Sequence, residues 1–290
     1  MFQMILINGL LMGGIFAILA IGFSLIFGVA KILSLMHTAL YMTTAFLIFV
    51  ALGWFEHHPL IVIISAVLMT GLIAMACYIL FLDRVKQHGT AVMIISLALA
   101  IIIQEVLLWI FGGHFRSIPA FVQGYLEIMG VRVLYQHFFS IGASFVTILV
   151  VWLLLYKSNL GKAIRAVSDD MEVANLMGIN VSRVCLLTMG ISGVLAGIAG
   201  VVSAPLTPVH PLMWMPALLT VLAAVVLGGL GSIKGSIIGA FLLGFAETSV
   251  VFMVPKGAFL KGAVSLSVMI ALLIIRPEGL FGVAFEEERL

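Results

Sequence analysis

The sequence is dominated by long apolar stretches that no charge interrupts and in which polar residues do not alternate. Hydrophobic residues make up 63% of the chain and charged residues only 9%, against roughly 25% charged residues in soluble proteins. A chain of this composition cannot keep so much apolar surface out of water, so its solvent is lipid. Lipid offers backbone N–H and C=O groups no hydrogen-bond partners, so only helices or closed barrels can span it. Because a barrel needs apolar–polar alternation, the sequence predicts an all-α, polytopic bundle of transmembrane helices.

Nine segments are long and apolar enough to be candidate spans, since about 20 apolar residues as helix cross a hydrocarbon core of roughly 30 Å. The seventh is short and is compatible with a broken or re-entrant helix, so we expect eight or nine spans. The segments are Met4–Val29, Leu35–Phe55, Leu60–Leu82, Thr90–Phe111, Phe138–Tyr156, Val184–Ala204, Pro216–Leu230, Ser236–Val254 and Ala258–Ile275.

The basic residues between these segments predict the orientation, because cytoplasmic loops carry an excess of Lys and Arg. With the polar stretch after the fifth segment placed in the cytoplasm, alternation puts 10 basic residues inside and 4 outside. The N-terminus is then outside and the acidic stretch Glu286–Glu288 inside. The inside set is Lys31, Arg84, Lys86, Lys157, Lys162, Arg165, Arg183, Lys234, Arg276 and Arg289, and the outside set is Arg116, Arg132, Lys256 and Lys261.

A polar segment, residues 157–183, interrupts the apolar pattern and carries helix signals. Asp169, three residues before Glu172, resembles a capping box, and acidic side chains suit the positive end of a helix dipole. Gly178 suits the residue just past a helix end. We therefore expect one short helix over about Asp170–Met177.

This short helix has two possible roles. The spacing of Met171, Ala174 and Met177 predicts that they share one face. An amphipathic loop helix of this kind is either an ordinary solvated element or a coupling helix that seats in a groove of a partner protein.

Four polar residues lie within or at the entry of apolar segments. His37 is at the second, Gln104 and Glu105 are in the fourth, and Glu247 is in the middle of the eighth. Intramembrane ionisable residues usually face a protein interior or a wet cavity, so each one marks either a translocation path or a polar tie between helices or subunits. The alternative for each is a satisfied structural hydrogen bond.

Small residues four apart recur in two places, at Gly193-x-x-x-Gly197 and at Gly231, Gly235 and Gly239. Such spacing lets helix backbones approach closely in lipid. It indicates either static helix packing or a seam between helices that rock during transport.

Several sites are not indicated by the sequence. The pattern G-x-x-x-x-G-K-[ST] is missing, so any ATP that drives this protein must bind another subunit. We expect no catalytic triad, metal site or cofactor in this chain, and we interpret His57 and His58 as part of a solvated external turn. The four prolines of Pro205–Pro216 exclude a regular helix and predict an external cap or a re-entrant loop.

The segment Glu172-x-Ala174 followed by Gly178-Ile179-Asn180 resembles the coupling loop of ABC importer permeases. Other stretches resemble the branched-chain amino acid permeases, and the resemblance covers nearly the whole chain. The chain most resembles the shorter of the two permease subunits in those systems, which lacks a long N-terminal extension. These stretches are Asn8–Leu33, His37 with Leu40–Met42, Ile95–Gln104, Gly228–Glu247 and Arg276–Gly282.

The resemblance implies a single transmembrane permease domain, residues 1–290, in a bacterial or archaeal cytoplasmic membrane. It implies that the chain is not an enzyme and translocates branched-chain or related hydrophobic amino acids. The implied partners are a second permease subunit, two ATP-binding subunits and a solute-binding protein, with no nucleic acid. It implies coupling residues Asp169, Asp170, Glu172, Ala174 and Gly178, and pathway residues His37, Gln104, Glu105 and Glu247.

The chain departs from the family pattern around His37. Asn, Gly and an acidic residue usually stand where this sequence has Ser34, Thr38 and Ala39. Since we expect that region to help to select the substrate, a permease for urea, amides or aromatic acids is an alternative. An ion- or proton-coupled secondary transporter that uses Glu105 and Glu247 as a proton relay is a further alternative, and so is an assembly subunit without a pathway of its own.

Overall fold

The structure is a computed structural model that describes residues 2–54, 58–85, 88–128, 131–276 and 278–281. Over these ranges it is a bundle of helices with one short strand pair, which confirms the predicted polytopic all-α class. The predictions for His57, Lys86, Arg289 and the acidic stretch fall outside the described residues. The helices are α1 (Phe2–Ala30), α2 (His37–Trp54), α3 (Pro59–Cys77), α4 (Gly89–Phe111), α5 (Tyr135–Lys157), α6 (Asn159–Asp169), α7 (Met171–Leu176), α8 (Val181–Ser203), α9 (Trp214–Gly228), α10 (Ile233–Met253) and α11 (Lys261–Ile275).

All nine predicted apolar segments form helices, but the helices differ in length. Eight are long and apolar enough to cross a membrane, counting the π-helical turn Tyr78–Leu82 with α3 and the 3-10 turn Gly257–Leu260 with α11. The seventh, α9, has only 15 residues. At 1.5 Å per residue it is about 22 Å long, shorter than the hydrocarbon core of roughly 30 Å. The expected count of eight or nine spans therefore corresponds to eight full-length helices and one short one.

Two elements were not predicted. Only one short helix was predicted in the polar segment, so α6 is additional, and the strands β1 (Tyr125–Ile128) and β2 (Val131–Leu134) form an antiparallel hairpin before α5. The hairpin pairs Tyr125 with Leu134 and lies at the end of the bundle that is predicted to be external.

The helices are arranged around α1 and α8, which are the most deeply buried spans. The helix α1 packs most extensively against α10, and α8 packs against α1, α2 and α3. In contrast, α3, α4, α5 and α11 present apolar side chains outward. An exposed apolar surface of this kind is expected where lipid or another membrane subunit covers the helix.

Close helix contacts are made at glycines, as the sequence predicted. A Cβ atom built on Gly193 would lie 2.4 Å from the Cβ of Ala74 in α3. A Cβ atom on Gly235 would lie 1.9 Å from the carbonyl oxygen of Gly228, where α9 and α10 meet. The packing interpretation is confirmed for Gly193 and Gly235, whereas Gly231 lies in the turn before α10 with a φ of 83° and no close contact. Movement of these helices during transport stays a prediction.

The short helix α9 is preceded by irregular backbone, residues 204–213, as the prolines predicted. The prediction was wrong for Pro216, which occupies the third position of α9. Proline is tolerated there because the first amides of a helix have no intrahelical acceptor. The irregular stretch is fixed by Arg116 and Val209, whose backbone groups exchange hydrogen bonds of 2.9 and 2.8 Å.

The other end of α9 is completed by residues that follow α11. The amide of Leu280 donates to the carbonyl of Leu227 at 2.8 Å, and the amide of Phe281 donates to that of Gly228 at 3.0 Å. Gly279, with a φ of 78°, makes the turn that brings these amides there. Leu280 and Phe281 thus provide hydrogen-bond donors for two carbonyls at the C-terminal end of a short helix, which would otherwise be unpaired.

The α9–α10 contact gives a direct test of glycine packing. Because the methyl group in Gly235→Ala would overlap the Gly228 carbonyl, we expect it to lower the free energy of unfolding by about 1–3 kcal/mol or more. Gly142→Ala in α5 is the matched control, since nothing lies within 4 Å of its built Cβ. The measurement is the temperature at which half of the detergent-solubilised protein remains monodisperse. Equal midpoints for both variants would contradict the packing assignment.

Candidate functional site

The polar segment 157–183 begins with a rigid connection between α5 and α6. The Ser158 hydroxyl caps α6, accepting from the amide of Gly161 at 2.9 Å and donating to the Leu154 carbonyl at 2.6 Å. A Cβ atom on Gly161 would lie 2.3 Å from the carbonyl oxygens of Leu154 and Leu155, so only glycine fits. Arg165 donates to the Leu155 carbonyl. These contacts fix the angle at which the segment leaves the bundle.

The helix α7 is capped by Asp170. Its Oδ1 atom accepts from the amides of Glu172 and Val173 at 2.8 and 3.0 Å. The predicted capping box that begins at Asp169 was wrong, because Asp169 is the last residue of α6 and the backbone leaves the helical conformation only at Asp170. The short helix itself was predicted within one residue at each end.

Gly178 ends α7 as predicted, with a φ of 84°. Its amide donates to the Asn175 carbonyl and the amide of Ile179 donates to the Ala174 carbonyl, both at 3.0 Å. This is a Schellman motif, which glycine favours because it has no Cβ. Asn180 then caps α8 by accepting from the amide of Arg183 at 3.0 Å. The segment is thus ordered at each of its turns.

The predicted shared face of Met171, Ala174 and Met177 was wrong. Ala174 is only 3% exposed and faces the protein, whereas Met177 is 79% exposed. Beside Met177, Leu176 is 85% exposed and Val173 54% exposed. These three side chains form what we call the α7 apolar surface (Val173, Leu176 and Met177). Next to it lies a cleft of about 510 Å³ that includes Glu172 and Gly178.

The segment is tied to the centre of the bundle by Lys31. This residue ends α1 with a φ of 54°, and its Nζ donates to the Ser168 carbonyl at 2.9 Å. A cation is favourable at the C-terminal end of a helix dipole, here that of α6. This contact connects the end of α6 to the end of α1, the most buried helix.

Gln104 and Glu105 lie in α4, but they face different surroundings. Gln104 is buried, and its Oε1 accepts from the indole Nε1 of Trp214 at 2.7 Å. Glu105 is exposed on the outer surface of α4, where its Oε1 accepts from Gln104 Nε2 at 3.0 Å. An exposed carboxylate in an apolar span is costly in lipid, so this part of α4 is expected to face protein or water.

Glu247 is buried between three helices. Its Oε1 accepts from the hydroxyls of Thr220 in α9 at 2.9 Å and Ser265 in α11 at 2.5 Å. A cavity of about 110 Å³ adjoins it, with Asn8 and Lys261 also in its wall. Glu247 thus joins α9, α10 and α11 and has a small cavity beside it.

His37 is fully buried between α1, α2 and α8. Its Nε2 is 3.1 Å from the Leu19 carbonyl oxygen and its Nδ1 is 2.9 Å from Ser192 Oγ. A Cβ atom on Gly22 would lie 2.6 Å from the imidazole ring, so glycine makes room for it. Both ring nitrogens are occupied within the chain, which is the arrangement of a structural tie.

The four predicted pathway residues do not form one site. Only Gln104 and Glu105 are hydrogen-bonded to each other. Gln104 and Glu247 nevertheless share an element, because Trp214 and Thr220 both belong to α9. Sequence reasoning missed these two partners and Ser265. For α9 itself, the sequence did contain an indication, which is a short apolar segment that follows a stretch with four prolines.

The capping of α7 by Asp170 gives a measurable expectation. Asp170→Ala should cost about 1 kcal/mol and raise hydrogen exchange at the amides of Glu172 and Val173, which lose their acceptor. Asp169→Ala is the control, since Asp169 is an exposed neighbouring carboxylate at the end of α6. Faster exchange in the Asp169 variant alone would restore the original capping-box assignment.

Comparison with known proteins places this architecture in a family. Residues 5–275 match the family model described as the permease component of branched-chain amino acid transport systems. BraD of Pseudomonas aeruginosa, a high-affinity branched-chain amino acid transport system permease protein, is 28% identical, with 96% of this chain and 94% of that protein covered. The permease protein LivH of the corresponding system in Escherichia coli K12 is 26% identical, covering 95% and 94%.

A solved structure shares the fold. PsaBC from Streptococcus pneumoniae in complex with Fab superposes with a TM-score of 0.53 at 19% identity, covering 94% of this chain and 92% of that chain. The family match spans nearly all of the described helices, including the polar segment and α9. The chain is a multi-pass membrane protein and belongs to the family of branched-chain amino acid transport permease components.

Proposed function

We propose that this chain is the transmembrane subunit of an ABC importer that translocates branched-chain or related hydrophobic amino acids. The observation that carries the proposal is the α7 apolar surface, a set of exposed apolar side chains on a short, doubly capped helix outside the spans. Surface of this kind, held rigid by Asp170 and Gly178, suits docking in a groove of a soluble partner. The names of the relatives supply the substrate class.

ATP-binding subunits are the partners that the coupling segment suits. The sequence has no P-loop, so hydrolysis takes place in separate chains. Force on α7 reaches the bundle through α6, its rigid connection to α5 and the Lys31 contact with α1. We propose Asp169, Asp170, Glu172, Ala174 and Gly178 as the coupling residues, with Ala174 acting by seating α7 on the protein and the others at the surface.

A second permease subunit is the partner that the outer helices suit. Glu105 is an exposed carboxylate on α4, so this part of the helix requires a covering of protein or water. The exposed apolar faces of α4 and α5 suit packing against another membrane subunit. A solute-binding protein would then deliver substrate at the opposite end, where the hairpin of β1 and β2 lies. Gln104, Glu105 and Glu247 are proposed for the pathway because they are polar side chains within apolar spans, and because Gln104 and Glu247 hydrogen-bond to the short helix α9. His37 is proposed as a positioning residue.

The ATP requirement separates this proposal from a secondary transporter. Uptake of radiolabelled leucine, isoleucine and valine should depend on the solute-binding protein and ATP in proteoliposomes that contain the whole complex. Uptake that persists without ATP and collapses with an uncoupler would overturn the proposal. Competition by urea, amides and aromatic amino acids in the same assay identifies the substrate.

The proposed docking role of the α7 apolar surface can be tested by introducing a charged side chain into it. Leu176→Asp should abolish docking of the ATP-binding subunits and lower ATP-driven uptake at least tenfold, because a carboxylate would be buried against apolar surface without a partner. Lys162→Asp places the same carboxylate on an exposed position of α6 and is expected to retain most activity. The measurements are co-purification of the ATP-binding subunits and initial uptake rates at equal permease levels in the membrane. Equal rates in the two variants would contradict the assigned docking surface.

A further inference from the structure

We propose that this chain carries a binding site for the phosphate headgroup of an anionic phospholipid. The site is a cavity between α1, α5, α6 and the turn before α10. It lies at the end of the bundle where Lys31, Arg165 and Lys234 gather, the end that the positive-inside pattern places in the cytoplasm. Basic pockets between transmembrane helices on this side suit lipid headgroups.

The size of the cavity fits a headgroup. Its volume is about 230 Å³, below the roughly 300–1,000 Å³ of pockets that enclose a whole drug-sized ligand. Gly28 of α1 leaves part of this space open, since a Cβ atom built there would be 3.4 Å from Ser168 Oγ and 3.8 Å from the Gly231 carbonyl oxygen. A methyl group would therefore be accommodated, and a larger side chain would fill the cavity.

The charge around the cavity is of one sign. Arg165 and Lys234 are in its wall, and Lys31 reaches the carbonyl of Ser168, another wall residue. None of the described residues that line it is acidic. Cations gathered around a small volume repel one another, so a bound anion lowers the electrostatic energy of this region.

The donors that face the cavity match a phosphate. Arg165 uses one guanidinium nitrogen on the Leu155 carbonyl and lies 5.0 Å from the ring centroid of Tyr156, which fixes its plane. A guanidinium has five N–H donors, so others stay available for paired hydrogen bonds to phosphate oxygens. Lys234 is exposed at the start of α10 and supplies a mobile ammonium group.

The apolar part of the wall identifies the anion as a lipid. Leu25 and Val29 of α1 and Leu155 of α5 belong to apolar spans and form the buried, apolar part of the cavity wall. Tyr156 stands at the end of its span, where aromatic side chains favour the headgroup region. A phosphate group held beside the end of an apolar span occupies the position of a lipid headgroup, whose acyl chains anchor it in the membrane.

A headgroup in this cavity would bridge the coupling segment to the bundle. It would add contacts between α6, α1 and the α9–α10 turn, beside the single hydrogen bond from Lys31 to Ser168. Anionic lipid is therefore expected to stabilise the orientation of α6 from which α7 is presented.

The test compares lipids that differ only in headgroup. Dioleoylphosphatidylglycerol should raise the thermal stability of the purified complex above the level reached with dioleoylphosphatidylcholine, and native mass spectrometry should show a tightly bound phosphatidylglycerol. In Lys234→Gln the apparent affinity for phosphatidylglycerol should fall about fivefold, as expected for one basic residue near a membrane surface. Lys162→Gln, an exposed lysine of α6 outside the cavity wall, should leave it unchanged.

Two further measurements locate the site and its ligand. Gly28→Leu, which fills the cavity without changing charge, should remove the preference for phosphatidylglycerol. A preference that survives in this folded variant would overturn the location. Equal losses in the Lys234 and Lys162 variants would indicate general surface charge and overturn the site. Equal stabilisation by soluble sn-glycerol 1-phosphate at the same concentration would overturn the lipid assignment.

Discussion

The need to satisfy every backbone group inside lipid governs the arrangement around α9. This helix is too short to cross the hydrocarbon core, and irregular chain precedes it. The amides of Leu280 and Phe281 supply partners at its C-terminal end, and the backbone exchange between Arg116 and Val209 holds the chain that precedes it. Side chains from α4 and α10 then hold the helix between these ends. Gln104 and Glu247, two polar residues far apart in the sequence, thus both hydrogen-bond to this one helix.

The sequence predicted the spans well, because the length and hydropathy of a membrane helix are local properties. It missed α6, which is amphipathic: Ile164 and Val167 are buried against the bundle while charged residues cover the other side. It also placed the α7 cap one residue early. Asp169 and Asp170 are chemically equivalent, and only the backbone conformation decides which of them caps. Ala174 faces inward because α7 packs on α6 and α8, contacts that no local pattern encodes.

The candidate site was predicted less completely, since its geometry depends on contacts between residues far apart in the chain. Gln104 and Glu247 were identified from charge and polarity alone, but their convergence on α9 could not be seen. Their partners Trp214 and Thr220 are residue types that are ordinary in any membrane helix.

Ser34 and Thr38, where the chain departs from its family, are buried hydroxyls without a hydrogen-bond partner in the described structure.

The position of Leu280 and Phe281 has a consequence for biogenesis. During synthesis α9 enters the membrane before α10 and α11 exist, so the carbonyls of Leu227 and Gly228 at its end have no partner at that stage. The helix reaches its final hydrogen-bonded state only after the chain has crossed the bilayer twice more. The C-terminal end of this internal helix is therefore completed only after later segments of the chain have been made.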